Sequence, residues 1–519
     1  MLKASGAMAA ATLLSRLLGM VREMVYAGFM GDSPVAGAFK LAFTIPNLFR
    51  RLLGEGALTA AFIPIFKEKE KTHGEVEMWR AANAVISGLV VAASVIISLA
   101  MLGISIALTV HHFSETTELM LRLLRVMFPY MLLVCIAAAL MGMLNARGHF
   151  FIPAMGATML NVVMIASVLW FAPHLGTELP QQIFALAFGV LAAGVAQAAF
   201  QLPTLWSEGF RYRWVSPWRN ETVRLVVTRM IPATIGVAAF QINVLLVQGI
   251  AFWISPQINA SFDYAVRLME LPQGMFGISL ATFLLPTLSA LAIDKKYPEF
   301  RQTLGHGIST LLFANLIAAI LLFVLAVPIV RLLFERGEFT AASTDRASLA
   351  LICLAPGLVA FSTVNILARA FFALGDTKTP MKISLACLVL NLLIAIALVV
   401  PLKQGGLGIA NTITSICNAG LLFFALRKKL GRLDMAELRA TFLPLGITGL
   451  AAGLVAWQGW RVWESSLGHG TLALKIGAVF VPAIVAGLIY GMLALAFKIP
   501  AAREITNLVF GRFRKTPRG

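Results

Sequence analysis

Ionised side chains are scarce in this 519-residue chain: Asp, Glu, Lys and Arg make up only 13% of it, while 59% is hydrophobic and the mean hydropathy is +0.85. So little polar surface cannot cover a soluble globule of this length, and a soluble fold is excluded. Cysteine is nearly absent as well. Cys135, Cys353, Cys387 and Cys417 fall inside apolar runs without metal-ligand spacing, so they read as small buried apolar residues, with disulfides a remote second. Enzyme signatures are missing: there is no HExxH, GxSxG or GxxxxGK[ST], and His73, His111, His112, His149, His174, His306 and His469 fall in loops or near the ends of apolar runs, His306 being the one open to question. No metal, cofactor or catalytic residue is expected. Acids are scarcer than bases, and the net charge of +18 invites a nucleic-acid reading that the positions of the basic residues oppose.

What the chain does have is long apolar runs, each near the length that crosses roughly 30 Å of hydrocarbon as a helix. An all-α, polytopic membrane protein with about fourteen spans follows, a helical bundle in preference to a barrel. Approximate limits are 6–29, 34–64 (bent at Pro46), 81–110, 118–145, 152–173, 181–205, 223–253, 259–293, 302–329, 346–374, 380–401, 406–426, 437–460 and 471–497. The N-terminal MLKASGAMAAATLLSR reads as the start of the first span, because Arg16 interrupts its apolar run and further spans follow.

With the N-terminus inside, the connections alternate in basic content. Lys67, Lys69, Lys71, Arg147, Arg211, Arg213, Arg219, Lys295, Lys296, Arg301, Lys378, Lys382 and the Arg427–Arg432 cluster fall inside, together with the tail from Lys498. The early outer loops (DSP, HHFSETTE, PHLGTELP, SPQINA) hold no Lys or Arg. Both termini are therefore expected in the cytoplasm, and the basic excess is expected to face anionic membrane lipids, not nucleic acid.

The two halves look related. Pro129, Pro153 and Pro173 are separated by 24 and 20 residues, and Pro356, Pro380 and Pro401 by 24 and 21. This predicts a six-helix lobe over 1–205, a second over 222–430, two additional helices over 436–498 and a basic cytoplasmic tail over 499–519. Repeats of six share one orientation, so the two lobes are expected to surround a central cavity, as in alternating-access transporters.

Charges inside the spans point the same way. A charge at the centre of a membrane helix costs roughly 2.5–3.5 kcal/mol, so it normally faces protein or a wet cavity. In the first span Arg16 and Glu23 share a helix face while Arg22 points about 100° away; Lys40 and Arg51 share a face of the second if Pro46 only kinks it. Such cations suit an anion such as a diphosphate. The packing alternative is that Arg16 pairs with Glu23, that Arg50 and Arg51 snorkel to the interface, and that Glu55 neutralises one of them. In the eighth span Asp263, Arg267 and Glu270 stand at i, i+4 and i+7, which serves either a cavity-lining element or an internal salt bridge.

The stretches SRLLGMVRE, AFKLAFTIPNLFRRLLGEGALTAAFIPIF, YAVRLMELPQGMFGISLATFLLPTLS and ALGDTKTPMKI closely resemble the MurJ or MviN-type lipid II flippases of the multidrug/oligosaccharidyl-lipid/polysaccharide exporter superfamily. The resemblance covers nearly the whole chain. It implies a bacterial inner-membrane transporter of lipid II, undecaprenyl-diphosphate-linked disaccharide pentapeptide, needed for peptidoglycan synthesis and cell shape. It also implies substrate-binding roles for Arg16, Arg22, Arg51, Arg267 and Glu270, with Glu23, Lys40 and Asp263 as additional cavity residues, and a groove for the polyprenyl tail along the last two helices. Two departures stand out: Gly37 and Val266 occupy positions where the family usually has Asp, and Asp263 is a candidate substitute for one of them. The alternatives are export of another polyprenyl-linked glycan or an amphipathic drug, and a non-transporting scaffold for cell-wall synthesis enzymes. A coupling ion is compatible with the sequence, which does not identify one.

Overall fold

A computed structural model of the chain describes residues 2–49, 51–52, 58–218, 220–431 and 436–504. Among them every regular element is helical and no strand occurs, so the protein is all-α. By packing, the chain divides into two compact units: Met1–Ala260 with Arg336–Phe339, and Ser261–Glu335 with Thr340–Gly519.

The first unit contains α1 (Leu2–Met30), α2 (Pro34–Phe49), α3 (Leu58–Val110), α4 (Glu115–Met127), α5 (Tyr130–Ala146), α6 (Phe151–Ala166), the single turn α7 (Leu179–Gln182), α8 (Phe184–Ser207), α9 (Glu221–Ile254) and the start of α10 (Pro256–Pro272). One core gathers Tyr26, Phe39, Leu123, Met127, Tyr130 and Val190 from α1, α2, α4, α5 and α8; another gathers Phe62, Phe66, Met78, Leu140 and Phe210. Helix α3 is two helices joined at Gly74, whose φ of 82° breaks the helical path. The short segment Arg336–Phe339 docks on the end of α1, where the Glu338 amide donates to the Gly28 carbonyl at 3.0 Å. Gly337 makes this approach feasible: it has φ 53°, and a Cβ there would stand 3.0 Å from the Gly28 carbonyl carbon.

The second unit contains the rest of α10, then α11 (Ser279–Ile293), α12 (Tyr297–Val324), α13 (Ala326–Phe334), α14 (Ala341–Leu354), α15 (Gly357–Ala373), α16 (Lys378–Leu430), α17 (Ala436–Ser466) and α18 (Leu472–Ala496). Leu284, Leu304, Leu367, Phe371 and Leu422 form one core, while Phe313, Leu445, Ala452 and Tyr490 fasten α17 and α18 to α12. The buried Tyr490 hydroxyl donates to the Phe313 carbonyl at 2.9 Å. At one end Arg331 reaches Glu464 at 2.9 Å and Lys475 reaches Glu335 at 3.3 Å; elsewhere His306 meets Glu504 at 2.9 Å. Helix α16 is likewise two arms, separated at Lys403 with φ 50°.

The proline pattern has a structural counterpart. Pro129 precedes α5 and Pro356 precedes α15, and the helix pairs α4–α5 and α14–α15 bend there by 42° and 47°. Proline lacks an amide hydrogen and clashes with the preceding turn, so both helix pairs kink at the corresponding place.

By length and apolarity, eight helices among the described residues can cross a membrane, or ten when each bent pair is one span. The sequence expectation of about fourteen is finer than this tally. Part of the difference is that α16, counted once, has two arms over 378–402 and 404–430, and that α2 is shorter than a full crossing. Arg50, Glu55, Arg219 and residues 505–519 of the expected tail lie outside the described residues.

Candidate functional site

Two groups of charged residues sit within the apolar helices, one in each compact unit. In the first, Arg22 donates to Glu23 at 2.6 Å, with side-chain exposures of 13% and 4%. Adjacent residues on a helix do not face each other. The long guanidinium arm nevertheless folds back to the carboxylate, because a buried anion without a partner is costly. The same guanidinium lies 5.5 Å from the centre of the Tyr26 ring, which packs edge-on against Phe39 of α2 at 6.0 Å. Arg22 is thus held between an acid and an aromatic face.

Arg16 is half-buried two turns earlier on α1 and forms no ion pair among the described residues, so the expected alternative pairing of Arg16 with Glu23 gives way to Arg22 with Glu23. Lys40 is buried and its ammonium lies 3.4 Å from the Ala260 carbonyl, inside the packing of the first unit. Arg51 is half-buried just past the end of α2. Whether Lys40 and Arg51 share a helical face depends on Arg50, which is outside the described residues.

In the second unit Arg267 lies between two acids of its own helix, 3.0 Å from Glu270 and 3.8 Å from Asp263. All three fall on one face, as the i, i+4, i+7 spacing requires. The group is more open than its counterpart: Arg267 is 32% and Glu270 48% exposed. Immediately after it, Pro272 ends α10 and residues Gln273–Ile278 widen into a π-turn. Such a turn commonly accompanies functional positions in membrane helices.

Gly37 has a geometric reason that the sequence did not show. A Cβ at this position would stand 2.7 Å from the Pro256 carbonyl carbon and 2.9 Å from its Cβ, so α2 approaches the start of α10 too closely for any side chain. The Gly37 carbonyl also accepts from Asn259 at 3.5 Å.

A further charged cluster was visible in the sequence only as basic loop residues. Arg147, at the end of α5, donates to Glu70 at 2.5 Å, to Glu75 at 3.0 Å and to Glu208 at 2.7 Å, and His149 lies 2.8 Å from the same Glu208. Three connections of the first unit are thereby tied together. The hydrogen bond from His149, then that from Arg147, holds the Glu208 carboxyl below its ordinary range. A lowered carboxylate pKa stabilises the fold at neutral pH, and the contribution disappears as pH falls below the ordinary glutamate value through the folded one. Acidification through that window is therefore expected to lower the thermal midpoint of the wild type more than that of Glu208→Gln, read by a melting curve in detergent. Arg147→Ala leaves three carboxylates together and is expected to cost about 1–3 kcal/mol at neutral pH. The second unit has a simpler tie: Asp376 accepts from Lys429 at 2.7 Å and from the Thr379 amide at 3.0 Å, capping α16, and its carboxyl is likewise pulled down.

The family model described as "Lipid II flippase MurJ" matches residues 26–476. A probable lipid II flippase MurJ of Haemophilus influenzae is 32% identical over 472 residues, covering 86% of this chain and 90% of that protein. The lipid II flippase MurJ of Burkholderia cenocepacia is 32% identical over 456 residues, covering 86% and 88%. Among solved structures, a lipid II flippase MurJ in an inward closed conformation superposes with a TM-score of 0.77 at 21% identity, covering 98% of this chain and 99% of that one. An inward-facing multidrug-resistance MATE transporter gives 0.67 at 16% identity, covering 82% and 97%.

Proposed function

This chain belongs to the lipid II flippase MurJ family, a family of bacterial inner-membrane transporters and not of enzymes, and from that premise we propose how its residues move the substrate. The protein is a multi-pass lipid II flippase serving peptidoglycan synthesis. In our reading it works by alternating access, with both termini in the cytoplasm, a six-helix lobe over 1–205, a second over 222–430 and a lipid-tail groove over 436–498.

The observation that carries the site assignment is that each compact unit keeps an arginine inside an apolar span, Arg22 beside Glu23 and Arg267 between Asp263 and Glu270. The buried Arg22–Glu23 pair is a poor stabiliser, since its desolvation offsets most of its attraction, and the more exposed Arg267 group gains little because water screens it. Retention of both groups fits the exchange of one anion for another: a diphosphate displaces a carboxylate and takes charge-assisted bonds from the freed arginine, a role assigned here to Arg22 and to Arg267. Arg16 and Arg51 add positive charge. Lys40, buried against a backbone carbonyl, serves by local potential, and Glu23, Asp263 and Glu270 hold the cations between cycles. The polyprenyl tail stays in lipid, because exposing it to water costs about 0.8 kcal/mol per methylene. The membrane potential, worth roughly 2.3 kcal/mol per charge per 100 mV, is a sufficient source of bias for a charged head group.

The test is depletion of the protein in a cell with no redundant flippase, followed by an outer-leaflet assay of lipid II. The reading expects lipid II to accumulate in the inner leaflet; unchanged outward appearance would overturn it. Association with cell-wall synthesis enzymes is a separate proposal, checked by co-purification of this protein with them from crosslinked membranes.

A further inference from the structure

The connection between α8 and α9 carries chemistry that the transport of lipid II does not use. The chain leaves α8 through Gly209, with φ 88°, and runs without helix along the start of the second arm of α3. It is fastened there. Phe210 is buried with its ring 5.5 Å from that of Trp79, Asn83 donates to the Arg211 carbonyl at 3.1 Å, and the Val215 amide donates to the Ser87 hydroxyl at 3.3 Å. The Tyr212 hydroxyl lies 3.2 Å from the same serine. Arg211 turns back to the Trp206 carbonyl at 2.9 Å and closes the end of α8.

Trp206 at the end of α8 and Trp214 and Trp218 of the strap turn outward, whereas Tyr212 leans its hydroxyl in to Ser87 and keeps part of its ring at the surface. Trp206, Tyr212, Arg213, Trp214 and Trp218 are all exposed, Trp214 to 57% and Trp218 to 72%. Arg224, in the first turns of α9, is exposed too. Of the two acids in this stretch, Glu208 is taken by Arg147 and His149, and Glu221 sits in the first turn of α9, where the helix dipole favours an anion. The outward strip is therefore aromatic and positively charged.

Its position is equally specific. Along α3 the exposed side chains before the strap are mostly polar, Glu75 and Arg80 among them with Val76 the one large apolar residue, whereas after it large apolar side chains are exposed at Val95, Leu99, Leu102 and Ile106. The strap crosses at Asn83 and Ser87, between the mostly polar and the apolar stretches of this surface, the order expected at a boundary between water and lipid. Tryptophan and tyrosine settle at that boundary, with the ring in the head-group layer, and arginine beside them attracts anionic lipid.

We propose that this strip is a docking site for anionic phospholipid, with Trp206, Tyr212, Trp214 and Trp218 seated in the head-group layer and Arg213 and Arg224 supplying the charge that selects acidic head groups. The leaflet is the cytoplasmic one under the orientation proposed above, but the site and its test do not depend on that orientation. Strap residues do not belong to the transport site, so failure of this proposal leaves the flippase reading intact.

The full-length protein is placed in nanodiscs of phosphatidylcholine alone or with phosphatidylglycerol, using lipids brominated near the head group as quenchers. Wild-type fluorescence is expected to be quenched more than that of the Trp214→Phe/Trp218→Phe variant, by a margin that grows with phosphatidylglycerol. After mild delipidation, native mass spectrometry should find several-fold less phosphatidylglycerol on Arg213→Ala/Arg224→Ala, and wild-type levels on Arg213→Lys/Arg224→Lys. Quenching of these tryptophans by aqueous iodide and not by brominated lipid, the pattern of a surface open to water or to a soluble protein, would overturn the proposal. Equal phosphatidylglycerol retention by the alanine variant and the wild type would do the same.

Discussion

Replacing Arg22 and Arg267 together by alanine is expected to abolish outward movement of lipid II while leaving the protein in the membrane. Hydrogen bonds to ionised partners contribute about 1.5–3 kcal/mol each, so losing one from each unit lowers diphosphate capture on the order of a hundredfold or more. The single change Arg22→Ala carries a second burden: Glu23, only 3% exposed, loses the cation 2.6 Å away. Such an anion either destabilises the helix packing or takes up a proton. Pairing Arg22→Ala with Glu23→Gln removes the buried negative charge that has lost this cation, so protein level should recover and transport should not. The outer-leaflet lipid II assay and an immunoblot of the membrane fraction separate the two effects. Undiminished transport by the Arg22/Arg267 variant would discard the proposed site, and it is also the result that a non-transporting scaffold demands.

Gly37→Asp, which introduces the acid that the sequence resemblance leads one to expect here, is expected to be strongly harmful and not beneficial. The new Cβ would meet Pro256 at 2.7–2.9 Å from two of its carbons, and both partners belong to helices anchored elsewhere. Overpacking of this kind costs about 1–3 kcal/mol, and a carboxylate confined in the same contact adds its desolvation. Gly37→Ala separates the contributions, because it tests the space without the charge. A loss of thermal stability for both, larger for Asp, is the expected result from melting curves of the purified variants. A Gly37→Asp protein as stable as wild type would mean that α2 and the start of α10 are not packed this tightly in the membrane.

The fold class was legible because it rests on quantities that a sequence states directly. Apolar runs near bilayer length, scarce charge and absent enzyme motifs leave little besides a helical membrane bundle. The prolines at 129 and 356 were informative for the same reason: a missing amide hydrogen acts locally, and the chain bends there by 42° and 47°. In the eighth span the spacing of Asp263, Arg267 and Glu270 was enough to anticipate their contacts, since a regular helix fixes residues four and three apart side by side.

In the first span the structure pairs Glu23 with Arg22 and not with Arg16, the partner named in the packing alternative. Helical periodicity locates Cβ atoms, and by that measure Arg16 faces Glu23; the charged end of an arginine lies several bonds further out and goes where a buried acid needs it. Arg147 was opaque too, for Glu70 and Glu75 of α3 and Glu208 after α8 reach it from segments whose meeting no local pattern encodes. Sequence alone thus determined that this chain is a helical membrane protein with cations in its spans, because hydrophobicity, helix period and proline chemistry act over a few residues. Only the tertiary structure decided which acid answers each cation, why position 37 tolerates no side chain and how the strap after α8 turns its tryptophans outward, because those depend on distances between segments remote along the chain.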